Sequence, residues 1–235
     1  MPLPFSRCRL SPSQSDDSDP FAAPYPLQRS SPGTTLPPKS NTTRRLKPNF
    51  SLSRVGYLFN SDGVSLLIQA SRLIGTGTFG CGTVIVEGED FIAENVTFEN
   101  SSPQGSGQAV ALRATADRCA FYNCRFIGWQ DTLYLHHGKQ YLKDCYIRGS
   151  LDFIFGNSTA LFEHCHIHCK SEGFITAQSR KSCQESTGYV FLRCVITGNG
   201  GSPYMHLGCP WVPFGRVVFA YTYVDQCIRN VGWHN

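Results

Sequence analysis

Along most of the chain the apolar residues fall in short β-branched and aromatic runs (TVIVEG, FIAENVTF, DTLYL, DFIFG, YVFLRCVI, RVVFAYTYV) broken by Gly, Asn and Ser. That is strand-and-turn patterning. One unit recurs: an apolar residue, two variable positions, a small apolar residue or Cys, one variable position, then Phe, Ile or Val. It reads Phe121/Cys124/Phe126, Leu142/Cys145/Ile147, Phe162/Cys165/Ile167 and Phe191/Cys194/Ile196, with weaker copies at Ala93/Val96/Phe98 and Phe219/Thr222/Val224. The central positions lie 28, 21, 20, 29 and 28 residues apart, a period that predicts a solenoid. Neither the Leu/Asn spacing of leucine-rich repeats nor a helical 3.6-residue stripe is present. The expected fold is therefore an all-β parallel β-helix, with inward columns of Val, Ile, Phe and Cys buried coil against coil.

Composition separates a leader from this body. Ten of the fourteen prolines, eight serines, and seven basic against three acidic residues lie in positions 1–50, so the whole net charge of +4 sits there. Residues 1–70 are expected to be a disordered Pro/Ser-rich leader, too poor in apolar surface to offset its ordering entropy, and 71–235 the β-helix. The leader shows no secretory pattern, and Asp16, Asp17 and Asp19 argue against an organelle transit peptide. The body's balanced charge argues against a nucleic-acid partner. No apolar run approaches the roughly 18 residues of a membrane span, so no membrane partner is expected. Eleven cysteines occur without a C-x-x-C pair, which leaves zinc ribbons unsupported and keeps both thiols and inter-coil disulfides open.

The same register places candidate chemistry. Asp131 lies seven residues after Cys124, and Asp152 seven after Cys145. Equivalent places in consecutive coils should set the two carboxylates side by side, roughly 5–6 Å apart, one protonated and one ionised by mutual repulsion. Gln130 precedes the first Asp and Gln108 the matching place one coil earlier, where their amides could serve as oxyanion donors. The bland reading is a pair of solvated turn acids. His164, His166 and His168 alternate along one strand, which reads as a polar face or as a metal grip. The segment GTGTFGCG lacks the Lys-Ser/Thr of a phosphate loop and reads as turn chemistry.

At GQAVALR (107–113), GWQDTLY (128–134), DFIFGN (152–157) and LGCPW (207–211) the chain resembles the pectin methylesterases, over about residues 75–235. The resemblance implies a right-handed parallel β-helix and an extracellular, cell-wall enzyme that removes methyl groups from methyl-esterified galacturonan (pectin) without metal or organic cofactor. It implies Asp152 as nucleophile, Asp131 as acid and then base, Gln108 and Gln130 as oxyanion donors, and Tyr134, Phe155 and Trp211 beside the sugar. A monomer and a proteinaceous inhibitor are further expectations. One position departs: Cys209 stands where the family has an arginine that activates the nucleophile, so a protonated fraction of Asp152 and a weakened rate are expected. The family's further coils before residue 70 and after GWHN are not found, and open end coils are expected. A pectate lyase needs acidic calcium ligands plus a basic residue, and a polygalacturonase needs three Asp; neither matches one Asp pair with Gln donors. A non-catalytic wall-binding β-helix stays open. Asn-x-Ser/Thr triplets stand at Asn41, Asn49, Asn95, Asn100 and Asn157.

Overall fold

The computed structural model describes residues 77–234 and, before them, the backbone of four strands, Arg44–Arg45, Phe50–Leu52, Tyr57–Phe59 and Leu66–Ala70. Those four strands already pair within the β-helix, upstream of the boundary expected at residue 71. The rest of the leader, on which the expected disorder falls, lies outside the described residues.

Every named strand pairs in parallel, and each coil visits three sheets in turn. The first sheet carries Val96–Asn100, Arg125–Ile127, Tyr146–Gly149, His166–Cys169 and Val195–Gly198 as consecutive rungs. The second carries Leu112–Ala114, Leu133–Leu135, Ile154–Gly156, Gly173–Gln178 and Met205–Gly208. The third carries Cys119–Tyr122, Lys139–Lys143, Thr159–Glu163, Gly188–Leu192 and Val217–Ala220. The repeat read from the sequence is the register itself. Ala93, Phe121, Leu142, Phe162, Phe191 and Phe219 form one column of Cα partners, and Phe98, Phe126, Ile147, Ile167, Ile196 and Val224 another. Inside the helix the rings stack: Phe162 on Phe191 at 4.3 Å and Phe191 on Phe219 at 4.5 Å between centroids. Each such ring removes apolar area worth about 1.5–3 kcal/mol from water. Cys124, Cys145, Cys165 and Cys194 are buried between these columns as free thiols.

The corner from the third sheet to the first is made the same way in each coil. Asn95, Asn123, Asp144, His164, Arg193 and Tyr221 have φ of 48–59°, the left-handed region. The N–H of each of the first five donates to a carbonyl of the next coil (Tyr122, Lys143, Glu163, Leu192 and Ala220), so turning the chain strands no backbone donor. Asn and Asp tolerate this geometry; His164, Arg193 and Tyr221 adopt it at a cost of about 1–2 kcal/mol each.

Of the histidine trio, His164 is thus an exposed corner residue. His166 and His168 point outward from the first sheet and share the Thr197 hydroxyl, at 2.7 and 3.0 Å. Among the described residues no group of three or more His, Cys, Asp or Glu is placed to hold a metal ion.

Candidate active site

The second sheet presents its outer face to the candidate chemistry. Gln130 bridges Leu151 and Leu133 pairs with Ile154, an unbroken offset that sets Asp131 opposite Asp152 on adjacent rungs. Rungs are about 4.8 Å apart. Both aspartates take the left-handed conformation, at φ 60° and 49°, so their side chains leave the backbone in the same sense. Asn or Asp is the side chain that a positive φ at such a corner favours, and the pattern that turns the strand also places the acids. Asp131 is 2% and Asp152 9% exposed.

One rung earlier the chain bulges. The N–H groups of Ala111 and Leu112 both converge on the Thr132 carbonyl, at 2.8 and 3.3 Å, while Ala109 N–H donates to Gln130 O at 3.1 Å. The extra residue brings Gln108 opposite Gln130, in keeping with the ladder expected from the sequence. Both amides are half-buried. Four polar side chains, two carboxyls and two carboxamides, therefore neighbour one another on three successive rungs.

Tyr134 and Phe155, also register partners, stack at 4.3 Å with 14° between planes. With Cys81, Val110 and Ala177 they make a small apolar patch separate from the main core. Sequence reasoning missed how this wall continues. His136 sets its ring edge-on to Tyr134 and to Phe79, each at 5.2 Å, and the Arg113 guanidinium lies 3.6 Å from the centre of the Phe79 ring. Arg113 also bonds the Phe79 carbonyl and, at 3.1 Å, Glu87. Phe79 comes from the glycine-rich segment, which is more than a turn: Gly77–Gly80 is a single helical turn that delivers a ring to the wall. Arg113 closes the GQAVALR block, and nothing in the sequence period marks its clamp between a carboxylate and an aromatic ring.

The electrostatics differ from expectation in cause. Burial alone lifts Asp152 from an ordinary 3.8 to about 7, where mutual repulsion had been expected to lead. Its Oδ1 is enclosed with no hydrogen-bond partner. Burial also raises the Tyr134 phenol, with Arg113 opposing and Asp131 reinforcing the shift, which places Asp131 within electrostatic reach of the stacked rings.

Cys209 N–H donates to Thr176 O at 3.0 Å. This sets Cys209 beyond Ala177 in the outward column of Arg113, Tyr134, Phe155 and Ala177. Its sulfur lies 4.0 Å from His234 Nδ1. Trp211, two residues on, is 47% exposed, while Phe155 is nearly buried at 6%. Cys209 brings no cationic side chain to this column, and burial is the one influence on the Asp152 carboxyl.

A sequence model of the pectinesterase family matches residues 55–235. Pectinesterase 31 of Arabidopsis thaliana is 87% identical over 167 residues, which are 71% of this chain and 53% of that protein. The crystal structure of the pectin methylesterase from Aspergillus niger superposes with a TM-score of 0.75 at 30% identity, over 82% of this chain and 69% of that one. A pectin methylesterase solved in complex with a hexasaccharide superposes at 0.64 with 25% identity, over 82% and 73%. The chain spans about half the length of the curated relatives it matches. With its three parallel sheets and the match over 55–235, the chain belongs to the pectinesterase family.

Proposed function

We propose that the chain is an aspartyl esterase acting on methyl-esterified galacturonan, in the extracellular wall where this family works. The ionised Asp152 carboxylate attacks the C6 ester carbonyl, and the amides of Gln108 and Gln130 donate to the oxyanion that forms. The bond to the methoxy oxygen breaks, and Asp131 gives that oxygen its proton, so methanol departs and an anhydride joins Asp152 to C6. Asp131, now ionised, takes a proton from water as the water oxygen attacks C6. The products are the free galacturonate acid, ionised Asp152 and protonated Asp131, with no change of oxidation state and no step that calls for a cofactor.

The observation that carries this reading is the pair of left-handed aspartates on adjacent rungs, with two glutamine amides opposite each other just upstream. Tyr134 and Trp211 supply apolar faces for sugar rings, and the nearly buried Phe155 backs the Tyr134 ring. A second reading, a β-helix that binds wall polysaccharide without turnover, is favoured by one feature: Cys209 stands in place of a cationic side chain while burial holds Asp152 near pKa 7. The two part on methanol release from methyl-esterified galacturonan by the purified chain. Release without new reducing or unsaturated chain ends is the esterase result. Binding with no release overturns it, and chain cleavage would mark a polygalacturonase or lyase.

Trp211 is expected to act in binding rather than chemistry, because it is exposed and lies beyond the column of stacked rings. Losing a stacking surface worth about 0.5–1.5 kcal/mol should raise KM about two- to tenfold in Trp211→Ala while kcat holds within about twofold. A fall confined to kcat would remove Trp211 from the binding surface.

A further inference from the structure

We propose that Asn95 is the one asparagine among the described residues that carries an N-linked glycan when the chain is made through a eukaryotic secretory route. Three of the sequence triplets that permit this modification fall among the described residues, and the fold treats them differently. Asn100 is 2% exposed, its Nδ2 donates to Val110 O at 3.1 Å, and its Oδ1 accepts from Ser102 N–H at 3.1 Å. Asn157 donates through Nδ2 to Glu185 at 2.9 Å and accepts from the Thr187 hydroxyl at 2.7 Å, beside the fully buried Ser158. In both, the nitrogen that would be linked already holds an acceptor, buried at Asn100 and half-buried at Asn157.

Asn95 is built the other way. It sits at the corner between the third and first sheets in the left-handed conformation, φ 59°, with its side chain half-exposed. Its Oδ1 accepts from Asn123 Nδ2 at 2.7 Å, which fixes the carboxamide and turns Nδ2 away, and that nitrogen makes no hydrogen bond among the described residues. The corner lies off the second sheet that carries Asp131 and Asp152, so a glycan there leaves the candidate site open. The linkage needs a lipid-diphosphate-linked oligosaccharide as donor. A bond forms between Nδ2 and the sugar C1, the C1–oxygen bond to the diphosphate breaks, the lipid diphosphate leaves, and Nδ2 loses one proton. Transfer to the unfolded chain can touch any triplet. At Asn95 the linked nitrogen gives up no hydrogen bond as the glycosylated chain reaches this fold, whereas at Asn100 and Asn157 the sugar competes with the acceptor that Nδ2 already holds.

The inference is independent of the esterase reading and is tested without any activity measurement. The full chain, secreted from a eukaryotic host behind an added signal peptide, is treated with peptide N-glycosidase in heavy-oxygen water, which converts a glycosylated Asn to labelled Asp. Cleavage after Glu94 and Glu99 puts Asn95 and Asn100 on separate peptides. Label is expected at 95 and at neither 100 nor 157. Asn95→Asp, which the left-handed corner tolerates, and Thr97→Val should each lose that glycan, whereas Thr97→Ser should keep it. An unlabelled Asn95 in the secreted protein, or label at Asn100 or Asn157 instead, overturns the proposal.

Discussion

Asp152→Asn is expected to reduce methanol release by at least about 10³-fold, as loss of a nucleophile does, and at the same time to make the protein more stable above pH 7. The two outcomes have separate causes. The first rests on the proposed role of Asp152 in attacking the ester. The second rests on its burial, which raises the carboxyl from 3.8 to about 7 in the fold. The sign follows from linkage. Below about pH 4 the acid is protonated in both folded and unfolded chains and costs nothing. Between about pH 4 and 7 the unfolded chain releases its proton first, so stability falls as pH rises; above 7 the full penalty of up to about 4 kcal/mol stands. Asn keeps the shape and the left-handed backbone but carries no charge. Its unfolding free energy should therefore match the parent near pH 4 and exceed it by about 2–4 kcal/mol at pH 8–9. Denaturant titrations at the two pH values check this, and equal stabilities at pH 8–9 would show that the carboxylate is solvated in the folded protein.

Much of this arrangement was legible in the chain because a β-helix writes its register as a sequence period. The spacing of Cys124, Cys145, Cys165 and Cys194 fixes which residues stack, and it carries Asp131 onto Asp152 with no further information. The columns beginning at Ala93 and Phe98 could be read for the same reason. What periodicity cannot convey is anything out of step with it. The bulge at Ala111–Leu112 shifts the offset by one residue, so the pairing of Gln108 with Gln130 could be found only by aligning the blocks and not by counting. Phe79 and Arg113 meet through a single helical turn at the lip of the second sheet, a contact between coils that no repeat encodes. The cause of the raised Asp152 pKa lies outside the sequence, which displays neighbouring charges but not enclosure. Two acids 21 positions apart suggest repulsion, whereas the 9% exposure of Asp152 belongs to the folded surface around it.

Restoring a cation at the departed position should give the largest gain in rate. Cys209 is partly exposed and lies in the outward column of Tyr134, Phe155 and Ala177, two rungs beyond the one that carries Asp152, with His234 Nδ1 4.0 Å from its sulfur. A guanidinium near a buried carboxylate lowers its pKa by about 1–3. With Asp152 at about 7, only about a tenth of the parent is ionised at pH 6, so Cys209→Arg should gain about five- to tenfold there from ionisation alone. Stabilising the charge that develops in the transition state could extend the gain toward 10²–10³-fold. The acid limb of the kcat/KM profile should move down by 1–3 pH units, and Cys209→Leu, which adds bulk without charge, should leave the limb in place. If the arginine acts on Asp152, its stabilising effect above pH 7 and that of Asp152→Asn relieve the same buried charge and must not add. Full additivity in Asp152→Asn/Cys209→Arg, or an unmoved acid limb in Cys209→Arg, would show that position 209 does not govern the nucleophile.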